Sequence, residues 1–357
     1  MKDPEPADQK PPFRRRERYR GTHPRRFGQK YKELDPQRDP ETIAKVIASG
    51  KTPAGQHRPI LVDEILAQLD PQPGERGADA TFGYGGHSQA LLEKLDGTGR
   101  LIALDVDAVQ LPRSEARLRG LGYGEDQLVV RRSNYAGLAA VLAEIGWGDG
   151  LDFLLADLGL SSMQIDNPER GFSYKHDGPL DMRMNPQRGI PARDWIARCK
   201  RHKLERTLVE GGDEPHAGPI AAAIAGSEKP ITTTRQLRDL VEATLPEGLA
   251  EDTRKASVAR VFQAIRIAVN EELTAIDAFL NQLPHCLRPG GRVAILSFHS
   301  GEDRRVKHHF RDGFRSGAYS EIATEIVRPS PAEIAGNPRA APAKMRWAVR
   351  APATSAS

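Results

Sequence analysis

The hydrophobic pattern of residues 76–105 predicts a strand, a tight turn, a helix and a second strand. Ala78–Thr81 is a short strand-like run, and three glycines follow it almost at once. Within Ser88–Leu95 the leucines recur on one helical face. Leu101–Leu104 is a second apolar run, with Asp105 at its end. Strands that alternate with helices in this way predict an α/β fold with a parallel sheet.

Four later segments continue the predicted sheet. Leu128–Arg131 predicts a third strand, and Asp152–Leu158 predicts a fourth. The fourth run is continuously apolar, as expected for a strand that is buried on both faces. Arg292–Leu296 predicts a fifth parallel strand, and the alternating segment Lys344–Val349 predicts a closing edge strand. Residues 257–283 carry a helical apolar stripe that predicts one long helix.

The alternation of strand and helix stops after the fourth strand. Residues 163–192 fit no period, and a long irregular loop in a compact domain is usually functional or disordered. Residues 193–250 are helical in pattern, with a capping box at Thr233 and Gln236. We therefore predict a helical domain at 165–255, inserted into a main domain that comprises 57–164 and 256–357.

Composition restricts the class of protein. The 357 residues are 38% hydrophobic and 6% aromatic, as in a soluble α/β protein. No run approaches the roughly 18 apolar residues of a membrane span, and Met1 begins a polar segment without a secretory signal. Cys199 and Cys286 have neither metal-ligand spacing nor a disulfide framework, which favours a reducing cytoplasm and gives no metal site.

Residues 1–56 form a separate zone of composition. Residues 10–32 contain ten Lys or Arg against one Glu, with four aromatic residues interleaved. Such an arm can neutralise phosphates and stack on bases, and a solvated tail fits the same composition. The net charge of +4 permits a nucleic-acid partner without requiring one.

The glycine turn is the first candidate for a ligand site. Gly83, Gly85 and Gly86 allow the backbone to press against a ligand, and the following helix would direct free N–H groups at it. Asp105 holds the position from which an acid accepts hydrogen bonds from a ribose hydroxyl. The NAD fingerprint needs a third glycine where this chain has Ser88, so S-adenosylmethionine is favoured over NAD.

Other strand ends supply further candidates, since ligands lie at the carboxyl ends of parallel strands. Asp157 ends the fourth strand, and His299 follows the fifth. A carboxylate at Asp157 could orient a cofactor or an amine, and His299 could take a proton or be structural. Tyr135 follows the third strand, where a ring could contact adenine or pack in the core.

Several long motifs, in order, resemble the ribosomal RNA small subunit methyltransferase H family. They cover about 57–350, and the basic arm lies outside them; they begin at His57, Asp79, Asp157, Glu169, Asp177, Phe262 and Ser297. The resemblance implies a class I, Rossmann-like methyltransferase fold with a mostly parallel seven-stranded sheet and an inserted RNA-recognition domain. It implies transfer of a methyl group from S-adenosylmethionine to the cytosine N4 of a decoding-centre cytidine in 16S rRNA.

The resemblance also implies site residues. The expected cofactor contacts, besides Gly83 from the turn itself, are Gly85, Gly86, His87, Asp105, Tyr135, Asp157 and Gln164. The expected partner is the small ribosomal subunit, in the cytoplasm and without a membrane; a homodimer is left open.

Basic residues of the irregular segment are candidates for contacts to rRNA phosphates. They are Arg170, Lys175 and Arg183, and ordinary solvated loop charge is the alternative reading. Three other functions stay open at this stage. They are an amino-methyltransferase acting on DNA or protein, a non-catalytic RNA-binding assembly factor with a cofactor fold, and, least favoured, an NAD dehydrogenase.

Overall fold

The structure, a computed structural model, describes residues 59–353. The basic arm predicted at 1–56 lies outside these residues. The described part contains a seven-stranded sheet with helices around it. The strands are β1 (Arg76–Asp79), β2 (Arg100–Asp105), β3 (Leu128–Arg132), β4 (Leu151–Asp157), β5 (Leu287–Ser297), β6 (Tyr319–Ile322) and β7 (Lys344–Arg350).

The sheet is doubly wound. Its strand order is β3-β2-β1-β4-β5-β7-β6, and β1 to β5 pair in parallel. Strand β7 is antiparallel to both β5 and β6. The predicted segment at 344–349 is therefore a strand, but its placement at the edge was wrong, because β6 pairs with its outer side. The strand order reverses between β1 and β4, where such folds bind ligands.

Helices cover both faces of the sheet. The apolar residues of one face pack with β1 and β4 around Leu154 and Phe279, and those of the other face pack around Phe153 and Leu155. The helices of the main domain are α1 (Val62–Leu69), α2 (Gly86–Lys94), α3 (Leu111–Gly120), α4 (Leu138–Glu144), α5 (Ser162–Asp166), α11 (Glu272–Cys286), α12 (Ser300–Arg315) and α13 (Pro331–Gly336).

A separate apolar cluster forms between β4 and α11, as the change of pattern predicts. It contains Phe172, Leu180 and Leu204, and it is built on a second group of helices. At one crossing, the backbone of Gly212 lies so close to Arg260 that an added Cβ would meet its carbonyl oxygen at 2.7 Å. The helices are α6 (Ala192–Arg198), α7 (Arg201–Gly212), α8 (Ala217–Ala225), α9 (Thr234–Thr244) and α10 (Glu251–Val269).

The single long helix predicted for 257–283 was wrong. Helix α10 ends at Val269 and α11 begins at Glu272, because Glu271 adopts a left-handed backbone with φ of 52°. The Asn270 side chain stabilises this break by donating to the Met182 carbonyl at 2.7 Å and accepting from the Met184 N–H at 2.7 Å. Helix α10 also crosses the expected boundary at 255/256, and its Val258 and Phe262 belong to the helical cluster.

No helix of residues 59–353 is both long enough and apolar enough to cross a bilayer.

Candidate functional site

The glycine turn closes the first strand onto the second. Gly83 and Gly85 have φ of 51° and 81°, a region that favours glycine. Helix α2 begins at Gly86, next to Pro59, and a Cβ on Gly86 would meet the proline ring at 2.7 Å. The turn is anchored through Asp105, whose Oδ2 accepts from the Gly83 N–H at 2.8 Å.

Asp105 at the end of β2 lies in a largely closed environment. Its Oδ1 accepts from the Asp107 N–H at 2.8 Å, so that both oxygens already accept one backbone hydrogen bond. Each carboxylate oxygen can accept a second bond, which leaves room for a ribose hydroxyl. Burial raises the pKa of Asp105 to about 6, although these two hydrogen bonds oppose the shift.

Tyr135 shares a small cavity of about 60 Å³ with Asp105. Its ring also packs edge-on against Phe279, with ring centroids 5.5 Å apart. Burial raises the pKa of its hydroxyl, which points toward the Glu272 carbonyl. The residue thus reaches both the candidate adenine position and the core, and the two roles proposed for it are compatible.

A larger cavity of about 480 Å³ opens beside the turn, at the ends of β4 and β5. It falls within the ~300–1,000 Å³ of typical ligand pockets. Of the predicted site residues, its lining includes Gly83, Gly86, His87, Asp157 and His299. Thr81 lines both cavities, which therefore lie next to each other at the end of β1. Gly85 and Gln164 line neither of them.

Asp157 presents a buried polar atom that has no hydrogen-bond partner, namely Oδ1. The other oxygen, Oδ2, lies 3.7 Å from His87 Nδ1, and His87 Nε2 lies 2.9 Å from the Ile60 carbonyl oxygen. Burial raises the pKa of Asp157 to about 6, with a smaller opposing effect of His87. Asp157 lines the cavity, and its side chain is 27% exposed although Oδ1 is buried, so a ligand amine or hydroxyl reaches the carboxylate at Oδ2.

His299 lines the same cavity, beside an acid that sequence reasoning missed. Its Nε2 is 3.2 Å from Oε1 of Glu302, and the imidazole is 8% exposed with neither nitrogen in a well-aligned hydrogen bond. Burial would raise the pKa of Glu302, but contacts from His299 and the Phe298 N–H outweigh it and hold that pKa low. Glu302 is therefore an anion that fixes the imidazole.

A second residue that sequence reasoning missed is Asp107, which is fully buried. Its Oδ2 accepts from Gln164 at 2.8 Å and from Arg170 at 2.9 Å. Burial would raise the Asp107 pKa, but these two partners hold it below its usual value. Gln164 thus acts on the site through Asp107. The spacing Asp-x-Asp at 105–107 was the available signal for this residue.

The three predicted RNA contacts lie in different environments. The Arg170 guanidinium donates hydrogen bonds to Asp107 and to the carbonyl oxygens of Arg183 and Met184. These internal contacts argue against a contact of Arg170 with phosphate. Arg183 forms a two-pronged ion pair with Asp181, with both distances 2.8 Å. Lys175 is exposed.

The residues present fit the three parts of S-adenosylmethionine, which are the adenine, the ribose and the methionine end. Asp105 and Tyr135 offer acceptors and a ring for the ribose and adenine, and the turn from Gly83 to Gly86 offers backbone for close approach. The Asp157 carboxylate lines the large cavity at the end of β4, where the methionine end and the acceptor would meet. Within residues 59–353 no group of three or more His, Cys, Asp or Glu is arranged to hold a metal ion.

A doubly wound sheet with one antiparallel strand, a glycine turn after β1 and acids after β2 and β4 defines the class I, Rossmann-like methyltransferases. Comparison with known proteins gives the particular family. The model of the MraW methylase family matches residues 54–351, and the chain belongs to that family. This membership confirms the resemblance noted in the sequence, and with it S-adenosylmethionine as the methyl donor.

Relatives align over nearly the whole chain. Ribosomal RNA small subunit methyltransferase H 2 of Alkaliphilus metalliredigens is 49% identical, over 94% of this chain and 97% of its own. Ribosomal RNA small subunit methyltransferase H 1 of Lachnoclostridium phytofermentans is 47% identical, over 96% of this chain and 95% of its own. Among solved structures, a putative rRNA-methylase from Clostridium thermocellum has 10% identity and a TM-score of 0.39, over 81% of this chain and 94% of that chain.

Proposed function

We propose that this protein methylates the N4 amine of a decoding-centre cytidine in 16S rRNA of the small ribosomal subunit. The observation that carries the proposal is the pair of buried polar groups, Asp157 and His299, that face one cavity without good hydrogen-bond partners. The relatives named above supply the class of substrate, small subunit rRNA.

The pair complements the Watson–Crick edge of cytosine. Cytosine presents an amine donor at N4 beside an acceptor at N3, whereas uracil presents an acceptor and a donor in the reverse order. A carboxylate at Asp157 accepts from the amine, and an imidazole N–H of His299 can donate to the neighbouring acceptor. A base turned out of its stack would be read in this way in a lined pocket.

The residues also supply what an amine methylation needs. S-adenosylmethionine, when bound, supplies an electrophilic methyl group. The N4 lone pair of cytosine is delocalised into the ring, so the amine must be held in line and relieved of a proton. The Asp157 carboxylate holds one N–H of the amine and accepts the proton, and His299, beside Glu302, is the alternative acceptor.

Transfer of labelled methyl groups from S-adenosylmethionine to small subunits that lack the modification tests the proposal. The expected product after nucleoside analysis is N4-methylcytidine at a single site in the decoding centre. Methylation of another base, of protein or of DNA would show that the proposed substrate is wrong, while the assignment as a methyltransferase would stand. Tight cofactor binding without transfer would instead indicate a non-catalytic assembly factor.

A further inference from the structure

We infer that a cluster of basic side chains on the inserted domain binds the phosphates of the rRNA that flanks the target nucleotide. This inference rests on the proposed function, because it takes small subunit rRNA as the partner. The basic cluster consists of Arg198, Lys200, Arg201, Lys203 and Arg206, at the end of α6 and the start of α7.

The basic cluster differs from the other basic residues discussed above because its positive charges have no carboxylate partners. All five side chains are exposed. None of them pairs with a carboxylate of residues 59–353, and the one contact of a charged group is Lys203 over the Trp195 ring at 5.9 Å. The one acid within 195–209 is Glu205. By contrast, Arg170 and Arg183 are held by Asp107 and Asp181.

Such a cluster is costly unless a polyanion neutralises it. Five cations within nine residues repel one another, and the repulsion is relieved when phosphates approach and counterions are released. Arg and Lys directed to solvent without partners are the electrostatic footprint expected of a nucleic-acid surface.

Helix α7 connects the basic cluster to the active cavity. At its far end the Gly211 carbonyl accepts from Nε2 of Gln263 at 2.9 Å, and Gln263 lines the large cavity. The next residue beyond the helix, Asp213, bonds to the Ser300 hydroxyl beside His299. At a rise of 1.5 Å per residue, Arg201 at the start of α7 lies about 15 Å from Gly211, and Arg206 lies about 8 Å from it.

This distance determines what kind of ligand can bind the large cavity and the basic cluster at the same time. A single nucleotide in the cavity cannot reach Arg198, Lys200 and Arg201 at the far end of the basic cluster, whereas a chain of several nucleotides can. The cluster is therefore expected to contribute to binding of rRNA and not to binding of the cofactor or to the chemical step.

The test compares two triple variants of the full chain. The first is Arg198→Gln with Lys200→Gln and Arg201→Gln. The matched control is Lys255→Gln with Arg311→Gln and Arg315→Gln, three exposed cations that already pair with carboxylates. Binding to small subunits lacking the modification is measured between 50 and 200 mM salt, together with methyl transfer.

For the first triple variant, the slope of log K against log salt should fall by about two to three units, because each lost phosphate contact removes about 0.7–0.9. The KM for subunits should rise at least ~10-fold, with kcat and the affinity for S-adenosylmethionine unchanged. The control should keep the native slope. Equal effects of both variants, or lost affinity with an unchanged slope, would overturn the inference; the latter would indicate a protein surface as the partner.

The outcomes separate this inference from the proposed function. If the native protein binds rRNA through the cluster but yields no N4-methylcytidine, the function fails and the inference stands. If the native protein methylates normally and the first triple variant does so with an unchanged KM, the inference fails and the function stands.

Discussion

At the scale of single residues, the chemistry depends most directly on Asp157. Replacing Asp157 with Asn removes a carboxylate that lines the cavity and puts a donor near the amine. We expect kcat for methyl transfer to fall ~10²–10⁴-fold, the usual contribution of a positioned proton acceptor. A labelled-methyl assay with saturating cofactor and subunits measures this, and full activity in the variant would exclude the assigned role.

The pH profile tests the same residue without a mutation. The pKa of Asp157 is raised to about 6, mainly by burial, so the carboxylate is ionised above that pH and protonated below it. Since the ionised form accepts the amine proton, kcat should decline as the pH falls through 6 and level off above 7. A profile that stays flat between pH 5 and 8 would argue against Asp157 as the proton acceptor.

Arg170 and Lys175 were assigned the same role from sequence, and the structure separates them. Arg170→Ala leaves the buried Asp107 without its ion-pair partner, which typically costs about 3–5 kcal/mol in unfolding free energy. Lys175→Ala alters an exposed side chain and should change stability by less than about 0.5 kcal/mol. Urea unfolding measures the loss of unfolding free energy in each variant. Equal losses would contradict a structural role for Arg170 as the partner of Asp107.

Site residues could be predicted from sequence only where chain position determines their place. Asp105, Asp157 and His299 follow parallel strands, whose carboxyl ends meet at one edge, so their neighbourhood was predictable. The partners Asp107 and Glu302 were not, because their roles depend on burial and on contacts from distant segments such as Arg170. Pattern reasoning therefore identified charged residues but not which charges neutralise each other.

At the scale of elements, the break between α10 and α11 connects the helical cluster to the small cavity at the end of the sheet. Asn270 bonds to backbone groups of Met182 and Met184, and Asn270, Met184 and Glu272 line the small cavity beside Tyr135. Sequence periodicity could not find this break, because the apolar stripe continues through it and the cause is a contact with residues about 86 positions earlier. Strands β1 to β5 and β7 were located from continuous or alternating apolar runs, whereas the four-residue β6 was missed because it carries neither pattern.

Removing the Asn270 contacts should weaken binding of S-adenosylmethionine more than it slows the chemical step. Asn270→Ala deletes three hydrogen bonds of the side chain, at about 1 kcal/mol each, and frees the segment that carries Met184. The dissociation constant of S-adenosylmethionine should rise ~10-fold or more by calorimetry. The control is Asn185→Ala, whose side chain accepts a local bond from Gln187; a similar effect of both variants would refute the coupling.

At the scale of the whole molecule, two buried acids make the stability of the cofactor-free protein depend on pH. The folded-state pKa values of Asp105 and Asp157 are both about 6, above the ordinary value of 3.8 for an aspartate. Their protonated forms are therefore favoured by folding, and this stabilisation is fully present below pH 4 and is lost as the pH rises through 6. The carboxyl groups with lowered pKa, such as Asp107 and Glu302, lose stabilisation only at more acidic pH.

The native protein should consequently lose unfolding free energy between pH 4 and 6 relative to a double variant with Asp105→Asn and Asp157→Asn. Chemical denaturation at each pH, without cofactor, gives the difference between the two proteins. Other titrating groups cancel in that difference unless they contact the two sites. A difference that is independent of pH in this range would mean that the acids are solvated or paired in the folded protein. The proposal that these two carboxylates await hydrogen bonds from the cofactor and the target amine would then lose its support.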